Sequence, residues 1–259
     1  MIQSENIFSN FPEISYKIDN ESHTNKGLWI ACTIISIWAI SLVILLSIDI
    51  SKISRLWLWI AGIWQMFLYT GLFITAHDAM HGVVFPKNPK INDFIGSLTL
   101  LLYGLFSYQE LRNKHKLHHQ YPASELDPDF HDYQHKNFFS WYFYFMKRYW
   151  SWFRLFALIL IFRLLSYILH IPEDNLNFFW VIPSIASSAQ LFYFGTFLPH
   201  REPVGGYTNS HRAQSTSFPN FLSFITCYYF GYHQEHHEHP DLPWWKLPEA
   251  YKIRQKIYK

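Results

Sequence analysis

The chain has 259 residues, of which 50% are hydrophobic and 20% aromatic, and its formal net charge at pH 7 is +2. This length fits one domain or two small ones. The two cysteines lie far apart in apolar runs, which argues against a disulfide framework and against a thiolate metal site. The total charge is uninformative, and no nucleic-acid partner is predicted. Residues 1–26 are polar and unlike a signal peptide, so we predict a mobile N-terminal tail and one membrane-embedded domain over residues 27–259.

Apolar segments long enough to cross a bilayer recur along the chain. They cover residues 27–48, 57–76, 153–171 and 178–198. A helix needs ~20 apolar residues to cross a hydrocarbon core of ~30 Å. Buried core helices of a soluble protein would explain one such run, but not several in so short a chain. The third segment carries Arg154 and Arg163, and Arg163 must either pair with a polar group or lie in a shorter span than the pattern suggests.

Histidines are clustered at helical spacings. "HDAMH" begins at His77, "HKLHH" at His115 and "HQEHH" at His233, and a single histidine follows in "LPHR". Residues at i, i+3 and i+4 share a helix face, so each cluster can point its rings in one direction. The last two clusters repeat the pattern HxxHH. The candidate metal ligands are His77, His81, His115, His118, His119, His200, His233, His236 and His237.

A single site built from all the clusters requires them to lie on one side of the membrane. Residues 27–76 would then form one hairpin and residues 153–198 a second, each delivering histidines at its exit. The apolar stretch 91–108 is predicted to be re-entrant or interfacial, because one crossing there would separate the clusters. Residues 137–150 mix aromatic and basic side chains, which predicts an interfacial helix or else an aromatic-rich loop.

The distribution of charge predicts how the chain is oriented in the membrane. Basic residues are concentrated on the histidine side of the proposed spans, and the positive-inside rule then places the histidines in the cytoplasm. The predicted fold class is an all-α integral membrane protein with two transmembrane helical hairpins and about four spanning helices. Interfacial or re-entrant helices and a cytoplasmic histidine-rich di-metal cap complete it.

Metal binding explains why so many imidazoles share faces beside membrane helices. An unpaired buried polar group costs ~1–3 kcal/mol, so this many would rival the ~5–15 kcal/mol stability of a whole domain. Imidazole suits Zn, Cu, Fe and Ni, and because such ions take up to about six ligands, the set predicts at least two ions. The zinc-hydrolase signature HExxH and the Glu-x-x-His motif of carboxylate di-iron bundles are both absent. Iron suits O₂ activation beside an apolar substrate, although spacing alone leaves zinc and copper open.

Carboxylates lie among these histidines and are candidate catalytic residues. Metal-bound histidines usually donate their second N–H to a carboxylate or carbonyl group, and we predict this supporting role for Asp78. Asp127 and Asp129 either act in the same way or form a turn or helix start. Further histidines break the spacing and are predicted to be structural or supporting groups: His131, His135, His211 and His239.

The three clusters resemble the histidine boxes of the membrane fatty-acid desaturase and hydroxylase superfamily. The flanking segments "DPDFH", "LPHR" and "PWWKLP" are more specific, and they resemble the bacterial and cyanobacterial carotenoid ketolases of the β-carotene 4-ketolase type. The resemblance runs from about Gly71 to Tyr251. It implies a di-iron, O₂-dependent membrane enzyme of carotenoid biosynthesis in which the candidate histidines are the iron ligands.

The resemblance also implies a reaction. Enzymes of this type introduce a keto group at C4 of a β-ionone ring, which here means conversion of β-carotene to echinenone and canthaxanthin through two hydroxylations and loss of water. The carotenoid would reach the site from the lipid bilayer. The chain contains neither GxGxxG nor CxxC, so electrons must come from an external donor. A ferredoxin-type carrier that docks near Lys114 and Lys116 is the hypothesis.

Rival functions remain open. Carotenoid 3-hydroxylases, fatty-acyl desaturases and alkane hydroxylases share the histidine boxes with the ketolases. A non-catalytic zinc-binding membrane protein is a rival of a different class. The carotenoid product and the bound metal distinguish these functions.

Overall fold

The computed structural model describes residues 25–257, so the predicted tail over residues 1–26 lies almost wholly outside the described residues. Within that range the chain forms helices and no β-strand, which confirms the all-α prediction. The helices are α1 (Lys26–Ser47), α2 (Arg55–Met80), α3 (Pro89–Gly104), α4 (Tyr108–Gln120), α5 (Phe138–Arg148), α6 (Trp152–Ile168), α7 (Glu173–His200), α8 (Asn220–Cys227), α9 (His233–Glu238) and α10 (Leu247–Ile257). Short 3₁₀ turns lie at Ile50–Lys52 and Trp244–Lys246.

Three helices are long and apolar enough to cross a membrane. α1 has 22 residues, α2 has 26 and α7 has 28. They coincide with the predicted segments 27–48, 57–76 and 178–198, and α2 and α7 extend beyond them. The extra turns matter for the site, because the end of α2 carries His77 and the end of α7 carries His200.

The fourth predicted span, residues 153–171, is shorter in the structure. α6 has 17 residues and reaches spanning length only together with α5, from which it is bent by 91°. Arg163 donates to Glu173 at 2.6 Å, and both side chains of the pair are about half exposed. The helix ends at Ile168, and His170, two residues later, is in the left-handed conformation with φ at 52°. Arg163 therefore has a carboxylate partner and lies near the end of a short helix.

The two remaining apolar stretches also form helices. α3 starts where Asn88 accepts hydrogen bonds from the backbone N–H groups of Lys90 and Ile91, and it ends at Leu105 in the left-handed conformation. Its 16 residues rise by about 24 Å, which is short of a full crossing. α5 buries Trp141 and exposes Phe139. Their re-entrant and interfacial placements stay predictions.

α2 is the central helix, packed against α1, α3 and α7. A Cβ at Gly96 of α3 would collide with the ring of Tyr108 and lie 2.9 Å from the Cβ of Ala79. The Tyr108 hydroxyl donates to the carbonyl of Ala79 at 2.6 Å. This close approach holds the start of α4 against the end of α2, and so sets the distance between the first two histidine clusters.

Asn175 joins the first and last of the long helices. Its buried side-chain amide donates to the carbonyl oxygens of Leu45 at 3.1 Å and Ile48 at 2.8 Å, at the end of α1. The final carbonyls of a helix have no partner within it. Asn175 supplies that partner from α7.

Candidate metal centre

The predicted metal ligands converge in two adjacent groups. Within each group the ligand nitrogens lie within 4.8 Å of one another. The five-histidine group contains His77, His81, His115, His119 and His236. The four-histidine group contains His118, His200, His233 and His237. The ends of α2 and α7 and one face each of α4 and α9 supply these rings, so the structure brings all the predicted ligands together.

Each HxxHH cluster is divided between the groups. In α4, His115 and His119 enter the five-histidine group and His118 enters the other. In α9 the division is reversed, since His233 and His237 share the four-histidine group with His118. The sequence predicted one shared face for each triplet. Successive residues turn by about 100°, so the rings at i and i+4 stay close together while the ring at i+3 points toward the neighbouring group.

Hydrogen bonding between neutral imidazoles cannot satisfy the four-histidine group. His200 Nδ1 donates to the Arg212 carbonyl at 2.9 Å, and His118 Nδ1 donates to Asp127 at 3.0 Å. When both rings are neutral their Nε2 atoms are unprotonated, and these atoms lie 3.0 Å from His233 Nε2 and 3.1 Å from His237 Nε2 respectively.

If His233 and His237 donated from Nε2, two protons would face each other across the 3.1 Å between those atoms. Their Nδ1 atoms would then be buried acceptors, and neither has a hydrogen-bond partner among the described residues. A cation between the Nε2 atoms removes the clash between the two protons, because each ring then carries its proton on Nδ1. The all-imidazole donor set fits iron, zinc, copper or nickel.

Burial favours the neutral form of the candidate ligand rings other than His118. Loss of solvent lowers the pKa of His81 to about 4, and it lowers the pKa of His236 and His237 well below the ordinary value. Neighbouring imidazoles lower the pKa of each further. Neutral rings keep the lone pairs that metal binding requires.

Asp127 orients one ligand and shapes the loop after α4. Its carboxylate accepts from His118 Nδ1, from the backbone N–H of Ala123 at 2.8 Å and from that of Asp129 at 2.8 Å. Burial would lower the pKa of His118, but Asp127 and Asp129 outweigh burial and hold that pKa above its ordinary value. Asp127 therefore forms the turn and also supports a histidine, the two roles between which the sequence did not decide.

Asp129 and Asp78 take different positions. The Asp129 carboxylate accepts a hydrogen bond from Tyr149 and lies 3.9 Å from His118 Nδ1. Asp78 accepts from the backbone N–H of Trp244 at 3.0 Å, and its second oxygen lies 3.4 Å from the Nδ1 atom of the preceding histidine. Asp78 thus ties the segment "PWWKLP" to the end of α2.

Sequence reasoning missed the role of Glu235. This buried carboxylate, between the ligands of α9, accepts hydrogen bonds from Ser215 and from Arg254 of α10. Arg254 also donates to Gln234 at 2.7 Å. An acid within the last histidine cluster and the basic C-terminal segment were the available signals, but no spacing rule connects them.

The histidines that break the spacing lie outside the two groups. His131 accepts from the backbone N–H of Tyr133 at 2.9 Å, and His135 pairs with Asp132 at 2.7 Å. The ring of His211 lies 6.0 Å from that of His237. His239 follows the last residue of α9.

A cavity of about 970 Å³ opens beside the histidines. At one end it is lined by ligand rings, including His77 and His118, and at the other by Arg163 and Glu173. Apolar side chains of α6 and α7 form its walls between those ends. This volume is at the upper end of the ~300–1,000 Å³ found for small-molecule sites. An elongated apolar molecule could therefore lie between the helices with one end against the histidines.

A known protein family and several known proteins match most of the chain. The profile of the fatty acid desaturase family matches residues 54–171 and 145–259. The chain is 42% identical to a beta-carotene ketolase of Paracoccus sp. (strain PC1) over 187 residues, which are 71% of this chain and 75% of that protein.

Other relatives extend the match. Identity is 36% over 262 residues with a beta-carotene 4-ketolase of Protosiphon botryoides, covering 93% of this chain and 67% of that one. Identity is also 36% over 240 residues with a zeaxanthin 4-ketolase of Chlamydomonas reinhardtii, and the match covers 88% of this chain and 53% of that protein. No solved structure matches. The resemblance to carotenoid ketolases predicted from the sequence is confirmed.

Proposed function

The chain belongs to the fatty acid desaturase family, and from that premise we propose that it is a membrane oxidoreductase that ketolates β-carotene at C4, giving echinenone and then canthaxanthin. The observation that carries the proposal is the pair of histidine groups at the end of a long apolar cavity. The names of the relatives support the same activity and a role in carotenoid biosynthesis.

We propose that each histidine group holds one iron ion, which when bound supplies the activation of O₂ needed to oxidise a C–H bond. Asp127 keeps the Nε2 lone pair of His118 directed at its group by accepting the Nδ1 proton. The Arg212 carbonyl does the same for His200. Such outer contacts fix ring orientation and ligand basicity.

The reaction requires two oxidations at one carbon. In each, one atom of O₂ enters a C4–H bond and the other leaves as water, using two electrons and two protons. The resulting geminal diol loses water to give the ketone. The cavity walls hold the ring in place and exclude bulk water from the histidine end.

Electrons come from an external ferredoxin-type donor in this proposal. Lys114 bonds to the carbonyl of Arg148 at 3.0 Å and pairs with Glu110 at 3.1 Å, so its charge is engaged within the protein. Lys116 is exposed. The docking hypothesis therefore rests on Lys116 rather than Lys114.

We also propose that α1 with α2, and α6 with α7, form two membrane hairpins with the histidines in the cytoplasm. Both histidine-bearing ends, at His77 and His200, then lie on one membrane face. The basic residues around them follow the positive-inside rule.

Expression in a host that makes β-carotene tests the function. The expected products under air are 4-keto carotenoids, and the purified protein should contain two iron ions per chain. A 3-hydroxylated product would identify a carotenoid 3-hydroxylase. New unsaturated lipids beside unchanged β-carotene would identify an acyl desaturase. Bound zinc without oxygen consumption would identify a binding protein.

A further inference from the structure

One hydroxyl group in the cavity differs from all the others. The other hydroxyl-bearing side chains that line it are Tyr103, Tyr142, Tyr149, Ser151, Ser184 and Ser188. Each of these has a hydrogen-bond partner. The Thr196 hydroxyl forms no hydrogen bond with any residue in the range 25–257. Only 8% of Thr196 is exposed, and Thr196 is one of the residues that line the cavity.

The backbone around Thr196 explains the missing bond. The other threonines within helices each donate to the carbonyl four residues earlier: Thr33, Thr70, Thr75, Thr99 and Thr226. Such back-bonding is the usual way in which a helix satisfies a threonine hydroxyl. Thr196 instead lies in the π-helical turn Tyr193–Phe197 of α7, whose backbone bonds follow a different spacing. Its hydroxyl is therefore left available to a molecule in the cavity.

Thr196 lies at the histidine end of the cavity. It precedes the ligand His200 by four residues, about one helical turn. Its neighbour Gly195 packs so closely on Phe230 that a Cβ there would collide with that ring. The Phe230 ring centre lies 4.6 Å from that of His77. The free hydroxyl is thus placed where the reacting ring of the substrate would lie.

We propose that Thr196 is a positioning residue that hydrogen-bonds the C4 oxygen of the half-oxidised ring and retains it for the second oxidation. This inference rests on the proposed ketolase function. β-Carotene is a hydrocarbon and offers Thr196 no partner, whereas the 4-hydroxy ring does. A buried hydroxyl without a partner is unfavourable, so the alcohol is held more tightly than the substrate from which it forms.

The step leaves Thr196 chemically unchanged. The second C4–H bond is replaced by C4–OH at the expense of one O₂, two electrons from the external donor and two protons, with release of one water. The diol then loses a second water to form the ketone. Thr196 only donates or accepts a hydrogen bond, so its contribution is to keep the alcohol from leaving before this step.

The test compares Thr196→Val, which keeps the volume and removes the hydroxyl, with Thr196→Ser, which keeps the hydroxyl. With β-carotene as substrate, Thr196→Val should raise the ratio of released 4-hydroxy to 4-keto product about five- to tenfold, the effect of one hydrogen bond. Thr196→Ser should keep the wild-type ratio. The matched control Ser184→Ala, which removes a cavity hydroxyl that already donates to Val181, should also leave it unchanged.

A binding measurement separates this inference from the proposed function. Full-length protein in lipid nanodiscs without O₂ should bind 4-hydroxy-β-carotene more tightly than β-carotene, and Thr196→Val should abolish that preference while leaving β-carotene affinity unchanged. Unchanged preference and product ratio in Thr196→Val would overturn the role of Thr196 even if ketones form. A wild-type protein that makes no ketone would overturn the ketolase function. If Thr196→Val does not fold, Thr196→Ala carries the same expectations.

Discussion

The two HxxHH helices carry the same ligand pattern but are held in place by different means. In α4, support reaches a ligand ring directly, because Asp127 accepts the Nδ1 proton of His118. In α9, the Nδ1 atoms of His233 and His237 have no partner among the described residues. There the supporting hydrogen bonds are made to Glu235, which lies between the candidate ligands, so they hold the helix and not a ring.

Helix length accounts for the difference. α4 has 13 residues and α9 has 6. Helices as short as α9 are unstable in isolation because nucleation is costly. α9 therefore needs an anchor on the helix itself, and Arg254 of α10 and Ser215 provide it. The comparison shows that a shared ligand motif does not imply shared support.

The largest effect should come from removing a ligand of α9. His236→Ala takes a donor from the five-histidine group, and we expect loss of most bound metal and of activity. His239→Ala is the matched control, since His239 belongs to neither group and follows the end of the helix. Iron per chain, measured by elemental analysis, checks this. Equal loss from both variants would show that His239 is also a ligand.

Breaking the anchor of α9 should have the next largest effect. Arg254→Met leaves the Glu235 carboxylate buried without its cation, and breaking a buried pair costs about 3–5 kcal/mol. We expect the lower end, because the Arg254 side chain is 19% exposed. Thermal unfolding in detergent measures the change. Lys52→Met, which breaks the exposed pair with Asp49, should leave the melting temperature unchanged, and a similar fall in both variants would contradict the anchor.

Loss of the ring support in α4 should be milder. Asp127→Asn removes the carboxylate that orients His118, and loss of such a contact typically lowers metal affinity about 10–100-fold. Competition with a chelator measures the affinity. Asp132→Asn is the control, because Asp132 pairs with His135, outside both groups. Unchanged affinity in Asp127→Asn would show that His118 needs no support.

The smallest perturbation is mild acidification. Burial lowers the pKa of His81, His119 and His236, whereas Asp127 outweighs burial at His118 and raises its pKa. A protonated imidazole cannot bind metal, so as pH falls protons compete first at His118. We expect one ion to leave the four-histidine group before the other is lost. Metal content after equilibration at stepwise lower pH checks this, and release of both ions together would contradict it.

Sequence spacing was enough to predict the long helices and the convergence of the ligands. The helical period places His77, His115 and His233 with their neighbours on usable faces, and the number of histidines already predicted metal binding. The division into two groups could not be predicted, because it depends on the rotation of α4 and α9 relative to each other. A pattern within one helix contains no information about that angle.

The sequence also did not predict the contacts by which distant segments support the histidine groups. Arg254 reaches Glu235, and the carbonyl of Arg212 reaches His200, only after the loop and α10 have folded back. The π-helical turn Tyr193–Phe197 was not predicted, although Pro199, which lacks a backbone N–H, follows it by two residues. The fourth span was predicted too long because apolar composition continues to Ile171 past the end of α6.

The contact between Asn175 and the end of α1 bears on the order in which the protein matures. A ribosome makes α1 first, yet the carbonyl groups of Leu45 and Ile48 meet their partner only when the start of α7 has been made. Unsatisfied carbonyl groups are costly within lipid. Among the described helices, α1 is therefore made first but gains this contact only after α7 has begun, so a nascent chain interrupted before Asn175 lacks it.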